Sequence, residues 1–522
     1  MGRINTNVAS LIAQRVLGQN NKDLNTSLER LSTGLRITRG KDDPAGLIAS
    51  QNLRAEKTAL TTAISNADRA DQVVNIAEGG LDEVSGLLNE LQALVTQTAN
   101  TSGLSQEEKE ANQLQIDSIV QTIDRVASAT SFQGLKLLNG NLDFNTENVS
   151  TNVSSFKVNG AKLNFQGTRD VEVVVTGSAQ VGGFFLSVGG TDLNLGGATS
   201  SDGASNRFVI EVAGNKGSRE LSFASGTSIT DVVAAVNSFT DVTGVKAATS
   251  GTGFTLKSAA FGADQFVSVK VVDAGVINTA QATAGIYKLQ SANTAVASTV
   301  PADQTLFSVT NSKITDQGQN VSATINGIQA TTKGRTARIN TDFLDVEIDL
   351  KTATASGADA QRLGGVTAFT ITGGGADFQL AGRVDIAGKV SLGIQNVQVR
   401  SLGRSTDDAG NVNFLADLGA GRALNVVSGD ISKGQNVIEN SIRDVASLRG
   451  RLGAFQKNTI GATIRSLGVA VENTAAAESL VRDADFAAET ANLTRAQILS
   501  ASAQQILGLA NSQPQAALQL LG

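Results

Sequence analysis

The sequence predicts an α+β protein: a long, coiled-coil-like α-helical bundle formed by both chain termini, with a strand-rich, mainly β insert between them. Three observations predict it. Apolar residues near both ends recur at steps of three and four, the period of a helix packing on a helix. From about residue 141 to 425 that rhythm gives way to short Val/Phe/Thr runs punctuated by Gly, Asn, Asp and Ser, which read as strands and turns. The helical rhythm then returns at about 430.

At the start, Ile4, Val8 and Leu11 lie on one helix face, and Leu24, Leu28, Leu31 and Leu35 step by four, three and four. The stretch "LSTGLRITRGKDDPAG" at 31–46 then interrupts the pattern with glycines, a charge cluster and one of the chain's 3 prolines. Asp43 is a good N-cap, Pro44 suits the first helical position, where its missing N–H costs nothing, and Asp42 precedes them. A long helix follows, with Leu53, Leu60, Ile64, Ala67, Val74, Leu81, Val84, Leu88, Leu91 and Val95 inward. At 1.5 Å per residue it spans roughly 80 Å. Gly79–Gly80 weakens it by about 1 kcal/mol per glycine and marks a place for a bend. Ser105 and Glu108 form a capping box for the next helix, whose stripe is Ile116, Ile119, Ile123 and Val126 and which ends near "TSFQGLKLLNG".

The insert reads as strands at "VEVVVTG", "FFLSVGG", "RFVIEVAG", "FTLKSA", "FVSVKVV", "VSATING", "LDVEIDL" and "AFTITGG". One helix interrupts them, "SITDVVAAVNSF", capped by Ser228 and Asp231, with Ile229, Val232, Val233 and Val236 inward, so 207–256 forms a ββαββ unit. A Thr/Ala/Gln-rich connector at about 278–300, ending near Pro301, divides two lobes. Past 430, Ile438, Ile442, Val445, Leu448, Leu452 and Phe455 mark a further helix, and a last segment starts near Asp483. After Arg495 it carries no charged residue, although Ile498, Leu499, Ile506 and Leu509 are apolar. It is too rich in Gln, Asn and Ser for a lipid-facing span, so a helix buried among other protein chains is expected.

Composition narrows the chemistry. The 522 residues include no His, Cys or Trp and a single Tyr, Tyr287. The side chain that titrates near neutrality is missing, as are the thiolate nucleophile and the soft metal ligand. A net charge of −6 gives no basic footprint for nucleic acid, and no run is long and apolar enough for membrane insertion. The start, "MGRINTNVASLIAQRVLG", lacks the pattern of a secretory signal, and its loose myristoylation match is outweighed by the helix face of Ile4, Val8 and Leu11. The carboxylate pairs Asp42–Asp43 and Asp407–Asp408 sit in turn-like contexts and read as caps, and no EF-hand loop is present. Asn148 and Asn152 head Asn-x-Ser triplets of a kind frequent by chance. No catalytic residue, cofactor or metal is expected.

Residues 1–42 and 483–522 pose a burial problem. Each is a thin element with an apolar stripe, and an isolated short helix is marginal in water. The abundant partner is another copy of the chain, which predicts order on assembly through a head-to-side contact that does not close and so grows a helical filament.

At this point the residues carry a resemblance. "RINTNVASLIAQRVL", "LNTSLERLSTGLRITRGKDDPAGLIAS", "TSFQGLKLLNG", "IRDVASLRGRLGAFQ" and "DADFAAETANLTRAQILSASAQQILGLAN" resemble the terminal regions of bacterial flagellins, in the right order at both ends. Residues 207–256 resemble a small repeat of flagellins and flagellar cap proteins. The resemblance implies an inner tube from 1–43 paired with 483–522, with Ile4, Val8, Leu11, Leu24, Leu28, Leu31, Leu35, Ile498, Leu499, Ile506 and Leu509 in self-assembly. It implies an outer-tube rod from 44–185 with 376–482, a surface-exposed β-rich insert at 186–375, and Asp42, Asp43 and Pro44 as joint and helix cap. The implied partners are the chain itself, the flagellar export apparatus and chaperone, and the filament cap and hook-junction proteins. The subunit would leave the cell unfolded through the export channel, without a cleaved signal peptide, and act in an extracellular filament that turns motor rotation into thrust.

One departure stands out. Flagellins recognised by the mammalian innate receptor usually carry arginine where Glu90 stands and glutamate where Gln115 stands, while Leu94 and Gln97 keep the pattern. An Arg-to-Glu reversal removes a fork-shaped donor and adds repulsion toward an acidic partner, so weak recognition is expected. The alternatives are a hook–filament junction protein with the same terminal plan and a surface adhesin. One Tyr and no Trp leave an adhesin few platforms for sugar stacking.

Overall fold

The structure is a computed structural model. It describes residues 6–100, 103–163, 167–189, 192–193, 195, 207–275, 284–289, 304–307, 313–352, 363–406 and 411–519. Its helices are α1 (Val8–Thr33), α2 (Pro44–Thr98), α3 (Gln106–Ala129), α4 (Ile229–Ser238), α5 (Thr240–Thr243), α6 (Ile431–Ala454), α7 (Gly461–Arg482) and α8 (Phe486–Gln519), with a π-turn, Phe455–Ile460, between α6 and α7. The chain divides into two compact units. The first comprises Met1–Gly79, Phe378–Val390 and Arg449–Gly522, and the second Gly80–Asp377 and Ser391–Leu448.

Most buried positions of α2 fall on a three/four alternation, Ala63, Ala67, Ala70, Val74, Ala77, Leu81, Val84, Leu88, Leu91, Val95 and Thr98, with Val73 and Leu94 buried beside it and Ser50 near the helix start. That is the period of a seam between helices. The glycine pair does not interrupt the helix. Gly80 has a packing reason instead, since a Cβ there would lie 2.6 Å from Thr130 Oγ1 and 2.9 Å from a Leu138 methyl. The capping box of α3 forms as read: the Ser105 N–H donates to Glu108 Oε2 at 2.7 Å and the Glu108 N–H to Ser105 Oγ at 3.2 Å. Ile116, Ile119 and Ile123 are buried with Ala127, and Val126 is only half-buried.

The strands of the second unit are all antiparallel where they pair, and they build two cores. In the first, a five-stranded sheet (Ile328–Gln329, Ser322–Ile325, Arg169–Gly177, Gly364–Gly374, Phe144–Glu147) and a four-stranded sheet (Thr331–Lys333, Thr336–Asn340, Leu344–Leu350, Val153–Ala161) bury Val171, Val173, Val346, Ile348 and Phe369 together. Alternating burial along Leu344–Leu350 is the period-two pattern of a strand with one face in a core. The turn after Ser322–Ile325 is Asn326–Gly327, both at positive φ (48° and 79°), as a two-residue hairpin of the I′ type requires.

The second core is nested within the first in sequence. Its five-stranded sheet runs Gln304–Leu306, Gly285–Lys288, Gly183–Ser187, Gly253–Ser258, Val245–Ser250. Its four-stranded sheet runs Ile314–Gln317, Phe266–Asp273, Arg207–Gly214, Ser218–Ala224. The ββαββ unit is present, but its two hairpins belong to different sheets, with Ile229, Val232 and Val236 of α4 packed in the same core. Two expectations meet the structure differently. The border drawn at 185/186 runs through the strand Gly183–Ser187. The connector at 278–300 is described only at 284–289, where Gly285–Lys288 is a strand of this core's own sheet; Val271 before it and Phe307 after it share the core, so it does not divide lobes. The division falls where the chain passes at 178–183, 258–265 and 315–321, stitched by Gln180 N to Gln319 O (2.7 Å), Gly262 N to Gln180 O (3.2 Å) and Gly318 N to Gln265 O (2.8 Å).

Candidate assembly surface

Helices α1 and α8 lie antiparallel. At one end the Asn7 amide donates to the Ala510 carbonyl at 2.7 Å; in the middle the Asn20 amide reaches the Leu499 carbonyl at 3.1 Å, and Ser500 Oγ donates to Asn21 at 2.8 Å. At the other end Arg30 pairs with the buried Glu489 at 3.7 Å. The seam consists of Ser10, Ala13, Leu17, Asn20, Leu24, Ser27 and Leu31 on α1 and of Glu489, Leu493, Ala496, Ser500, Ala503, Leu507 and Ala510 on α8, a heptad spacing on both helices. Its fully buried members are small, apart from Glu489. Small seam residues let backbones approach, and the asparagine amides can then reach carbonyls across the pair, which fixes register.

The expected leucine stripe is therefore corrected in part. Leu24 and Leu31 sit in the seam, but Ser27 takes the place read for Leu28, which faces away. Leu35 is half-buried and bridges Asp483 beyond the helix. Ile4 lies outside the described residues. Large apolar side chains outside the seam point out of the pair: Val8, Leu11, Ile12, Val16 and Leu28 on α1, and Ile498, Leu499, Ile506 and Leu509 on α8, are each 44–63% exposed. Covering such side chains would stabilise by about 1 kcal/mol apiece, half the range for full burial. The pair is thus closed on a seam of small residues and half-buried leucines, with a second set of large apolar side chains left open.

The segment between α1 and α2 has its own bonding. Gly34 ends α1 in the left-handed conformation (φ 72°), and its N–H donates to Arg30 O at 2.8 Å. The Arg36 N–H donates to Arg482 O at 2.7 Å and the Ala484 N–H to Gly34 O at 2.9 Å, tying the exit of α1 to the entry of α8. Asp42 accepts the Arg39 N–H (2.9 Å), the Thr38 hydroxyl (3.0 Å) and the Thr38 N–H (3.2 Å). The bond from Arg39 above all, then the Thr38 hydroxyl, holds its carboxyl below the usual range. Asp43 caps α2 by accepting the Gly46 N–H at 2.9 Å, and Pro44 is the helix's first residue. Both carboxylates are occupied by backbone; Asp407 and Asp408 lie outside the described residues.

Glu90, Gln97 and Gln115 are exposed, whereas Leu94 is buried. Among the described residues no group of three or more Asp or Glu side chains is placed to hold a metal ion, and no helix is long and apolar enough to cross a membrane.

Comparison with known proteins gives three matched segments. Residues 4–143 match the bacterial flagellin N-terminal helical region, residues 435–521 the bacterial flagellin C-terminal helical region, and residues 207–260 the flagellin hook IN motif. Over 99% of both chains the protein is 26% identical to flagellin B of Helicobacter pylori and 27% identical to the flagellin of Salmonella typhimurium. A solved structure, the flagellar cap protein D2–D3 domains from Serratia marcescens, aligns with 41% of this chain and 99% of its own at 18% identity, with a TM-score of 0.24.

Proposed function

Because the chain belongs to the bacterial flagellin family, and so is a structural subunit of the flagellar filament, we propose how its residues build that filament. The observation that carries the account is the outward-facing set Val8, Leu11, Ile12, Val16, Ile498, Leu499, Ile506 and Leu509 on a helix pair already closed on its small seam. Copies of the same chain cover this set. The contact joins two different patches, so it propagates instead of closing, and a helical polymer results. Residues 1–43 with 483–522 form the inner tube, 44 to about 182 with 376–482 the outer tube, and about 183–375 the solvent-facing insert, which keeps the strand Gly183–Ser187 whole. The uncharged tail after Arg495 suits a protein-lined environment, since no ion has to be desolvated there.

The partners in this account are the chain itself, the export apparatus with its chaperone, and the cap and hook-junction proteins. A chain without cysteine cannot cross-link in transit through an export channel. The role is mechanical and extracellular, with no catalytic step. Electron microscopy of the purified chain after seeding tests it. Long filaments are expected, and deletion of 497–522 should leave a folded, soluble monomer that does not extend seeds. A truncated chain that elongates normally overturns the account.

A further inference from the structure

Two features of the first compact unit take no part in the pairing of α1 with α8. One is the loop 381–388. Gln379 Nε2 donates to Arg383 O at 2.5 Å, Leu380 N to Gly388 O at 3.0 Å, and Gly388 N to Asp385 Oδ1 at 2.6 Å, so the tip Arg383–Val384–Asp385 is held by its own bonds. Yet Val384 at its apex is 95% exposed, more than any other large apolar residue among those described. The second feature is the outer face of α7. This helix buries no residue fully. Arg465, Val469 and Glu472 fall on one face at helical spacing and are exposed, and a Cβ at Gly468 beside them would meet nothing within 4 Å.

The two features are complementary. The tip presents a cation, an apolar knob and an anion in order, and the helix face presents a cation, an apolar residue beside a glycine notch, and an anion. Arg465 and Glu472 are seven residues apart, about 10 Å along the axis, within reach of two side chains splayed from Arg383 and Asp385. We propose that the 383–385 tip of one copy docks on the Arg465–Glu472 face of α7 in a second copy. Val384 sits over Gly468 and Val469, Arg383 meets Glu472, and Asp385 meets Arg465. The two patches differ, so this contact also propagates rather than closes. It rests on the self-assembly reading and adds an interface separate from that of α1 and α8.

The test is seeded elongation of the full chain, followed by light scattering and electron microscopy, for wild type, Arg383→Glu, Glu472→Arg, the double reversal and Val384→Asn. Melting followed by circular dichroism should be unchanged throughout, because every altered side chain is exposed. Each single reversal should slow elongation by about tenfold or more, and the double reversal should restore most of the rate. Val384→Asn should slow it as well. Single reversals that elongate like wild type, or a double reversal as slow as the singles, overturn this contact and leave the self-assembly reading standing. A wild-type chain that fails to extend seeds overturns both.

Discussion

Gly46 sits where three chemical demands meet. Its N–H donates to the capping carboxylate of Asp43, and a Cβ built on it would lie 2.5 Å from Asp43 Oδ2 and 2.6 Å from a methyl of the buried Ile37. Gly46→Ala should therefore cost about 1–3 kcal/mol through overpacking and loss of the cap, read as a lower melting temperature of the monomer. Asp42 makes a pH prediction of known sign. Its carboxyl is held below the ordinary 3.8 by bonds to its charged form, so its contribution is present above that value and lost as pH falls through the lowered one. Nuclear magnetic resonance should show the Thr38 and Arg39 amides shifting with a midpoint below 3.8, and Asp42→Asn should abolish that transition. A midpoint at or above the ordinary value would contradict the bonding described. Asp43, Pro44 and the Ser105–Glu108 box were legible beforehand because a cap is a local event, decided by residues three apart.

The helix pair shows where such reading stops. Spacing alone marks Leu24, Leu28, Leu31 and Leu35 as a stripe, but spacing does not reveal the partner. Once the partner is α8, rich in Ala and Ser, the close approach favours Ser27 in the seam and turns Leu28 outward. The same geometry predicts opposite effects for two neighbours on α8. Ala503→Leu should destabilise the pair by about 1–3 kcal/mol, because the seam has no room for it. Ile506→Asn should leave monomer melting unchanged within about 0.5 kcal/mol while abolishing elongation of seeds. Loss of monomer stability in both would mean that Ile506 belongs to the fold and not to an interface. The π-turn Phe455–Ile460 carried no warning either, since the three/four rhythm runs up to Phe455 without a break.

At the scale of the whole chain, the strands themselves were readable and their pairing was not. Each of "VEVVVTG" and "LDVEIDL" declares a strand by alternation, yet the first pairs with Ser322–Ile325 and Gly364–Gly374, far along the chain. Nothing local encodes a partner so distant, which is why the nesting of one core inside the other had to come from the structure. Glu90 and Gln115 are exposed, and we propose that they weaken recognition by a host receptor. The purified monomer should signal weakly through the innate receptor that recognises other flagellins, and potent activation of reporter cells would contradict this. The central claim, that other copies cover the outward apolar face of α1 and α8, has a direct measurement because the chain contains no cysteine. A single Ile506→Cys should react quickly with a maleimide in the monomer and be at least tenfold protected in filaments, while Lys333→Cys, at a side chain 86% exposed, reacts equally in both. Equal reactivity of Cys at 506 in monomer and filament would show that this face stays open, and the account would fail.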